Sequence, residues 1–156
     1  SSMNPIAVIR IVLLVSIFVS MITTLFFMLP GLYMWLPLLL SILHIVFSIV
    51  GLVGVLSTLS TESSEHQDYG WYCTIVHAVA VALEFGALFI AVLYWGISTH
   101  SQFKHWYTNG AIVLGIFMAI VDFVTFTASA TFIGFVAKEK ALPGSFQSEQ
   151  ATSGDL

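Results

Sequence analysis

Four long apolar runs separated by short polar connections make up most of this chain, and they leave it few ways to fold. Each run exceeds the roughly 20 residues needed to cross a bilayer as a helix. Hydrophobic residues supply 58% of the sequence and charged ones 8%. A water-soluble domain, which typically carries about 25% charged residues, could not cover that much apolar surface. The expected fold is therefore all-α: a polytopic membrane protein built as an antiparallel bundle of four transmembrane helices, with no room for a separate soluble domain.

The expected helices run over about 5–29, 33–56, 71–97 and 109–136, so residues 1–137 form the transmembrane domain. Asn4 followed by Pro5 is a cap and first-turn signal for the first helix. Pro30 and Gly31 are expected to end it, and Pro37 is tolerated because it falls in the first turns of the second. Residues 57–70 read as an acidic loop carrying Glu62, Glu65 and Asp68, and 98–108 as a second polar loop with His100, Lys104 and His105. The tail, 138–156, is rich in Ser, Gly and Gln and is expected to be disordered. The first run is too long for a removable signal peptide and reads as retained.

Inside the third run, His77, Ala80, Glu84, Ala87 and Ala91 fall at steps of three and four, which places them on one helix face. Similar stripes occur in the other runs. They are Leu13, Ser16, Ser20 and Thr23; Ser41, His44, Ser48 and Gly51; and Ala111, Gly115, Met118, Asp122, Thr125 and Ser129. Small and hydroxylated residues at this spacing allow close approach and hydrogen bonding between helices, so these faces are expected inside the bundle.

At about 1.5 Å per residue, His44, Glu84 and Asp122 come to a common depth roughly 20 Å from one end. Arg10 and His77 form a shallower layer about 6–9 Å in. Ionisable groups at mid-membrane are costly and mark assembly or function. Three uses are open for the deeper cluster, one of them docking of a buried acid against a complementary helix of a partner subunit. In another, a protonated Glu84 or Asp122 hydrogen-bonds to His44, Ser48 or Thr125 and fixes helix register. In the third, the three handle protons, an ion or a quinone. Arg10 is expected to snorkel to the headgroups, or to pair with Glu84 or a lipid phosphate. His77 is expected to be a packing or interfacial residue.

Several chemistries find no support. A net charge of −4 offers no basis for binding nucleic acid. Cys73 stands alone, and no local run of Cys and His has zinc-site spacing, so no metal site is expected. Phosphate loops, HExxH runs and nucleophile elbows are absent, so catalytic residues are not expected. Haem held by two histidines requires both at one level, whereas His44 and His77 differ by roughly 12 Å. Haem would thus need a histidine from a partner subunit, and no cofactor is expected of the chain alone. The expected partners are the bilayer and other membrane subunits, or further copies of the chain.

Arg10, Lys138 and Lys140 fall on one side and Lys104 on the other, so the positive-inside rule favours cytoplasmic termini, or the matrix side in a mitochondrion. Tyr33, Trp35, Tyr94, Trp95, Trp106 and Tyr107 read as one interfacial aromatic belt, and Tyr69, Trp71 and Tyr72 as the other.

In size and topology, with a basic residue early in the first helix (Arg10 in NPIAVIRIVLLV), the chain resembles MARVEL-type four-helix membrane proteins. That resemblance implies a role in membrane apposition, vesicle traffic or junctions, without catalytic residues. LYWGISTHSQ (93–102) and NGAIVLGIFMAIVDF (109–123) are similar to the rolling-stone and androgen-induced membrane hydrolase family. Members of that family have more helices and a histidine in the helix corresponding to the fourth here. Ile112 is the nearest position, so hydrolysis does not carry over. The expected function is that of a non-enzymatic structural or accessory subunit, or a membrane-organising protein. The other expectation is a transport or redox subunit using His44, Glu84 and Asp122.

Overall fold

The computed structural model describes residues 4–59, 64–98 and 105–141. They form four α-helices: α1 (Pro5–Gly31), α2 (Trp35–Ser57), α3 (Ser64–Ser98) and α4 (Trp106–Ala141), with no strand among the described residues. Each is long and apolar enough to cross a membrane. Packing follows chain order around a ring, with α1 against α2, α2 against α3, α3 against α4, and α4 closing onto α1.

The Asn4 side chain accepts a hydrogen bond from the Ile6 amide, and Pro5 fills the first turn of α1, as the sequence predicts. Pro30 does not stop α1 where expected; the helix continues through Gly31 and is closed by the Leu32 amide donating to the Met28 and Leu29 carbonyls. Residues 32–34 make the turn, and a Cβ on Gly31 would lie 2.9 Å from Leu38 Cα, so glycine lets the hairpin close tightly. Pro37 sits in the first turn of α2.

The second half departs further from expectation. Residues 64–70, read as loop, are the opening turns of α3, and α4 extends from Trp106 to Ala141 rather than 109–136. Polar composition was taken as a loop signal, but Glu and Gln are good helix formers once an apolar run propagates into them. Glu62, residues 99–104 (including His100 and Lys104) and the 142–156 tail lie outside the described residues, as do the side chains of Glu65 and Lys140.

Every predicted stripe residue of α1, α2 and α4 is buried. The stripe of α3 needs correction. His77 and Ala91 are buried and Glu84 nearly so, but Ala87 is exposed and Ala80 only half-buried; Val81 and Leu88 take the inner positions instead. The buried seam runs Thr74, His77, Val81, Glu84, Leu88, Ala91 and Trp95, a repeat of 3.5 residues that long packed helices share. Trp95, expected in an aromatic belt, is therefore core. Tyr33, Trp35, Tyr94 and Trp106 at one end, and Tyr69 and Tyr72 at the other, are exposed. Trp71 is half-buried and stacks on Phe132.

Two apolar clusters fill the interior. One contains Phe27, Leu40, Leu88, Trp95, Ala111 and Met118; the other contains Leu13, Ile17, Val55, Ala128 and Phe132. Along α1, α2 and α4, the polar layer falls between them. The outer surface is apolar on all four helices, with Phe18, Leu25, Ile49, Leu83, Ile90 and Phe123 among the exposed side chains.

Glycines bring α2 and α3 together. A Cβ on Gly54 would lie 2.7 Å from the Thr74 backbone nitrogen, and one on Gly70 would lie 2.9 Å from the Gly54 carbonyl oxygen. Backbone cannot move aside as a flexible side chain can, so Gly54→Ala is expected to cost about 1–3 kcal/mol. Gly86 has no neighbour within 4 Å of an added Cβ, so Gly86→Ala should be neutral or stabilising by no more than about 1 kcal/mol. Thermal unfolding of both variants in one detergent checks the contrast, and equal effects would sink this account of the α2–α3 contact.

Candidate functional site

His44 of α2, Glu84 of α3 and Asp122 of α4 meet inside the bundle, and each lies near the middle of its helical span. One nitrogen or oxygen from each falls within 4.8 Å of the other two. The convergence expected from depth counting is thus found. Ser20 of α1 joins it, so all four helices contribute. Ser20 was counted only as a stripe residue in the sequence, although the same depth count along α1 places it level with His44.

Both ring nitrogens of His44 lie within hydrogen-bonding distance of a partner. Ser20 Oγ donates to the Ile17 carbonyl at 2.7 Å, as serines inside helices commonly do. With its single proton on that carbonyl, the hydroxyl oxygen, 2.9 Å from His44 Nε2, accepts from Nε2–H; in the other imidazole tautomer the hydroxyl would turn and donate to Nε2. Nδ1 then faces the Glu84 carboxyl, 2.7 Å from Oε1 and 2.9 Å from Oε2. Two arrangements satisfy that contact: a neutral imidazole accepting from a Glu84 O–H, or an imidazolium N–H donating to a carboxylate. Both place one proton between the two groups and leave the pair with zero net charge.

Asp122 is different. It is 1% exposed; its oxygens meet no donor in full hydrogen-bond geometry, but the Glu84 carboxyl lies close enough to share a side-chain hydrogen bond with it. Its nearest ionisable neighbours are Glu84 and His44. Thr125, one turn on, does not serve it, because its hydroxyl donates to the Val121 carbonyl at 2.8 Å. Ser48, the other expected partner, is buried with its hydroxyl also unpartnered. An unpaired polar group in such surroundings costs several kcal/mol by general estimate.

The order Ser20–His44–Glu84 matches that of a hydrolase triad, so its differences matter. The Ser20 proton points to a backbone carbonyl rather than to the imidazole. Ser20 is 3% exposed and lies in mid-helix, where the amides that would make an oxyanion hole are committed to helical carbonyls.

Arg10 and His77 occupy a separate level. The Arg10 guanidinium carbon sits 5.3 Å from the centre of the Phe132 ring, a cation–π contact between α1 and α4. The proposed Arg10–Glu84 pair is not formed: Arg10 lies almost three turns from Ser20 along α1, and Glu84 is engaged by His44. His77 is 2% exposed and packs on Gly51, where an added Cβ would lie 2.6 Å from its ring. Gly51 is two turns along α2 from His44, about 10 Å, so the two histidines stand at different levels.

The hydroxyl stripes behave differently from expectation. Ser16, Thr23, Thr24, Ser41, Thr74 and Thr125 all donate to carbonyls of their own helices, three or four residues back, and of these Thr24 also lies 4.0 Å from Met118 Sδ across the α1–α4 interface. Direct polar bonding between helices is concentrated at His44.

A double-mutant cycle with His44→Gln and Glu84→Gln measures that bond. A coupling energy of about 1–2 kcal/mol is expected, at the upper end for polar contacts between membrane helices. Additive effects in reversible unfolding would mean that the contact contributes nothing. No protein-family model, curated protein or solved structure matches the chain.

Proposed function

We propose that this chain is a multi-pass integral membrane protein, crossing the bilayer four times with both ends on the cytoplasmic or matrix side, and that it has no enzymatic activity of its own. Its role is that of a structural or accessory subunit of a membrane complex, or of a membrane-organising protein. The observation that carries the proposal is the inverted polarity of the bundle. Ser20, His44, Ser48, Asp122, Thr125 and Ser129 are buried, while large aliphatic and aromatic side chains cover the outside. Lipid or neighbouring transmembrane helices are the media that suit such a surface.

Support for a non-enzymatic role comes from the surroundings of the buried hydroxyl. Ser20 lacks both an exposed approach and free amide donors, so the Ser20–His44–Glu84 order serves to join helices. The grooves on the outer surface are lined by apolar residues such as Phe85, Leu88, Val92 and Phe123, and these offer contact area for acyl chains or a partner helix.

One observation favours a transport or redox role instead: Asp122 is buried beside the Glu84 carboxyl with no donor in full hydrogen-bond geometry, next to the His44–Glu84 contact. The two readings part at Glu84→Gln. A structural acid can be replaced with assembly retained, whereas a proton-handling acid cannot be replaced without loss of turnover in the complex to which it belongs.

Alkaline carbonate treatment of membranes should leave the chain in the pellet; its release would end the integral-membrane proposal. Native purification in a mild detergent should then yield a co-migrating partner or a homo-oligomer. A stable lone monomer would count against the accessory role.

A further inference from the structure

We propose that His44, Glu84 and Asp122 form a binding site for a first-row divalent cation of the Zn²⁺ type, buried at mid-bundle. The site is distributed over α2, α3 and α4, which is why inspection of local spacing finds no metal motif. The inference goes beyond the accessory role, because the site would take its ion whether the bundle stands alone or within a complex.

Three features support it. The donor set, one imidazole nitrogen and two carboxylates within 4.8 Å of one another, suits a cation that accepts mixed nitrogen and oxygen ligands. Tetrahedral zinc bonds of about 2.0–2.1 Å put neighbouring ligands roughly 3.4 Å apart, so the three groups would supply three of four ligands after His44 and Glu84, now 2.7 Å apart, open slightly and the widest pair closes by up to about 1.4 Å.

The second feature is the orientation of His44. A metal-binding imidazole ordinarily donates its remote N–H to an oxygen that holds the ring and selects the tautomer. Here Nε2–H donates to Ser20 Oγ, which is itself anchored on the Ile17 carbonyl. That leaves Nδ1 facing the Glu84 carboxyl, and loss of the proton shared between them would free its lone pair for an ion.

Asp122 provides the third. Its oxygens are fully buried at the cluster with no donor in full hydrogen-bond geometry, and the neighbouring Glu84 carboxyl is a second acid rather than a cationic partner. A divalent ion would coordinate Asp122 and give two carboxylates and a neutral imidazole a net charge of zero. The low-dielectric interior of the bundle favours such a neutral centre. On binding, bonds form from His44 Nδ1, Glu84 and Asp122 to the ion, and protons held by these groups leave to bulk water.

The test uses the full-length chain in lipid nanodiscs, stripped with a chelator and titrated with Zn²⁺, then with Co²⁺ as a visible-absorbing probe. Wild type should take up one ion per chain, gain thermal stability as Zn²⁺ is added, and develop Co²⁺ ligand-field bands. Asp122→Asn should weaken binding by about 100-fold or more, since loss of a ligand should exceed the tenfold to hundredfold effects known for supporting residues. His105→Gln, which removes an exposed histidine, should leave binding unchanged.

His44→Gln should abolish the Co²⁺ bands; where that variant does not fold, Asp122→Asn decides, because it removes one carboxylate ligand and keeps the side-chain shape. A wild-type chain without an ion-dependent shift overturns the site. So does a shift that survives Asp122→Asn, or one that is lost with His105→Gln. Carbonate extraction of the same membranes reads the integral-membrane proposal separately, so failure of one inference is distinguishable from failure of the other.

Discussion

The hydrogen bonds on the two nitrogens of His44 are the constraint on which the arrangement of this bundle depends. Four apolar helices with a repeat of 3.5 residues can pack in several registers, since sliding one by seven residues meets a similar seam. The bonds from His44 to Glu84 and to Ser20 remove that freedom for α1, α2 and α3. A slip of one heptad would separate partners by about 10 Å and strand an ionisable group in an apolar interior. Stranding one member of a buried charged pair costs about 3–5 kcal/mol, more than a small-residue contact can return. The pair itself is affordable because one proton shared between imidazole and carboxyl leaves no net charge to desolvate.

Cohesion away from that layer comes from close packing. In lipid, apolar side chains gain nothing by leaving an apolar medium, so helices associate through van der Waals contact and a few polar bonds. The glycine sites on α2 and α3 fit that demand, with Gly54 and Gly70 placing one backbone against the other. Hydroxyls that bond back to their own helix fit it too. A threonine whose proton is already committed, such as Thr24 or Thr125, can sit at an interface as a compact side chain without needing a partner across it.

How much of this could be read in the sequence depends on which physical signal carried it. Hydropathy and length identify all four helices, because an apolar run of that size has few alternatives. Depth counting brings His44, Glu84 and Asp122 together, since rise per residue is nearly constant in a helix. Choosing the face of α3 by residue size failed at Ala80 and Ala87, because Val81 and Leu88 fit the same periodicity and bury more surface. Trp95 was misplaced for a related reason: being near a helix end suggests a belt, but the 3.5-residue seam turns it inward. The α3 start was not legible, since polar residues at 64–70 suit either a loop or a solvated helical turn. Pairing of hydroxyls depends on rotamers, which no spacing rule fixes.

Asp122 separates a purely architectural account from one that requires something more. His44, Glu84 and Ser20 satisfy one another, so register is set without Asp122, and α4 already packs through Met118, Ala128 and Phe132. If register alone were at issue, an Ala or Val at position 122 would fill the seam and avoid the desolvation of a carboxyl. Its position close to both His44 and Glu84 gives the acid a geometric relation to the shared proton that a packing residue would not need. The four-helix scaffold places three of the polar groups of the central layer in mutual hydrogen bonds, and the fourth, Asp122, is left against the Glu84 carboxyl, where a proton or a larger cation would satisfy both acids.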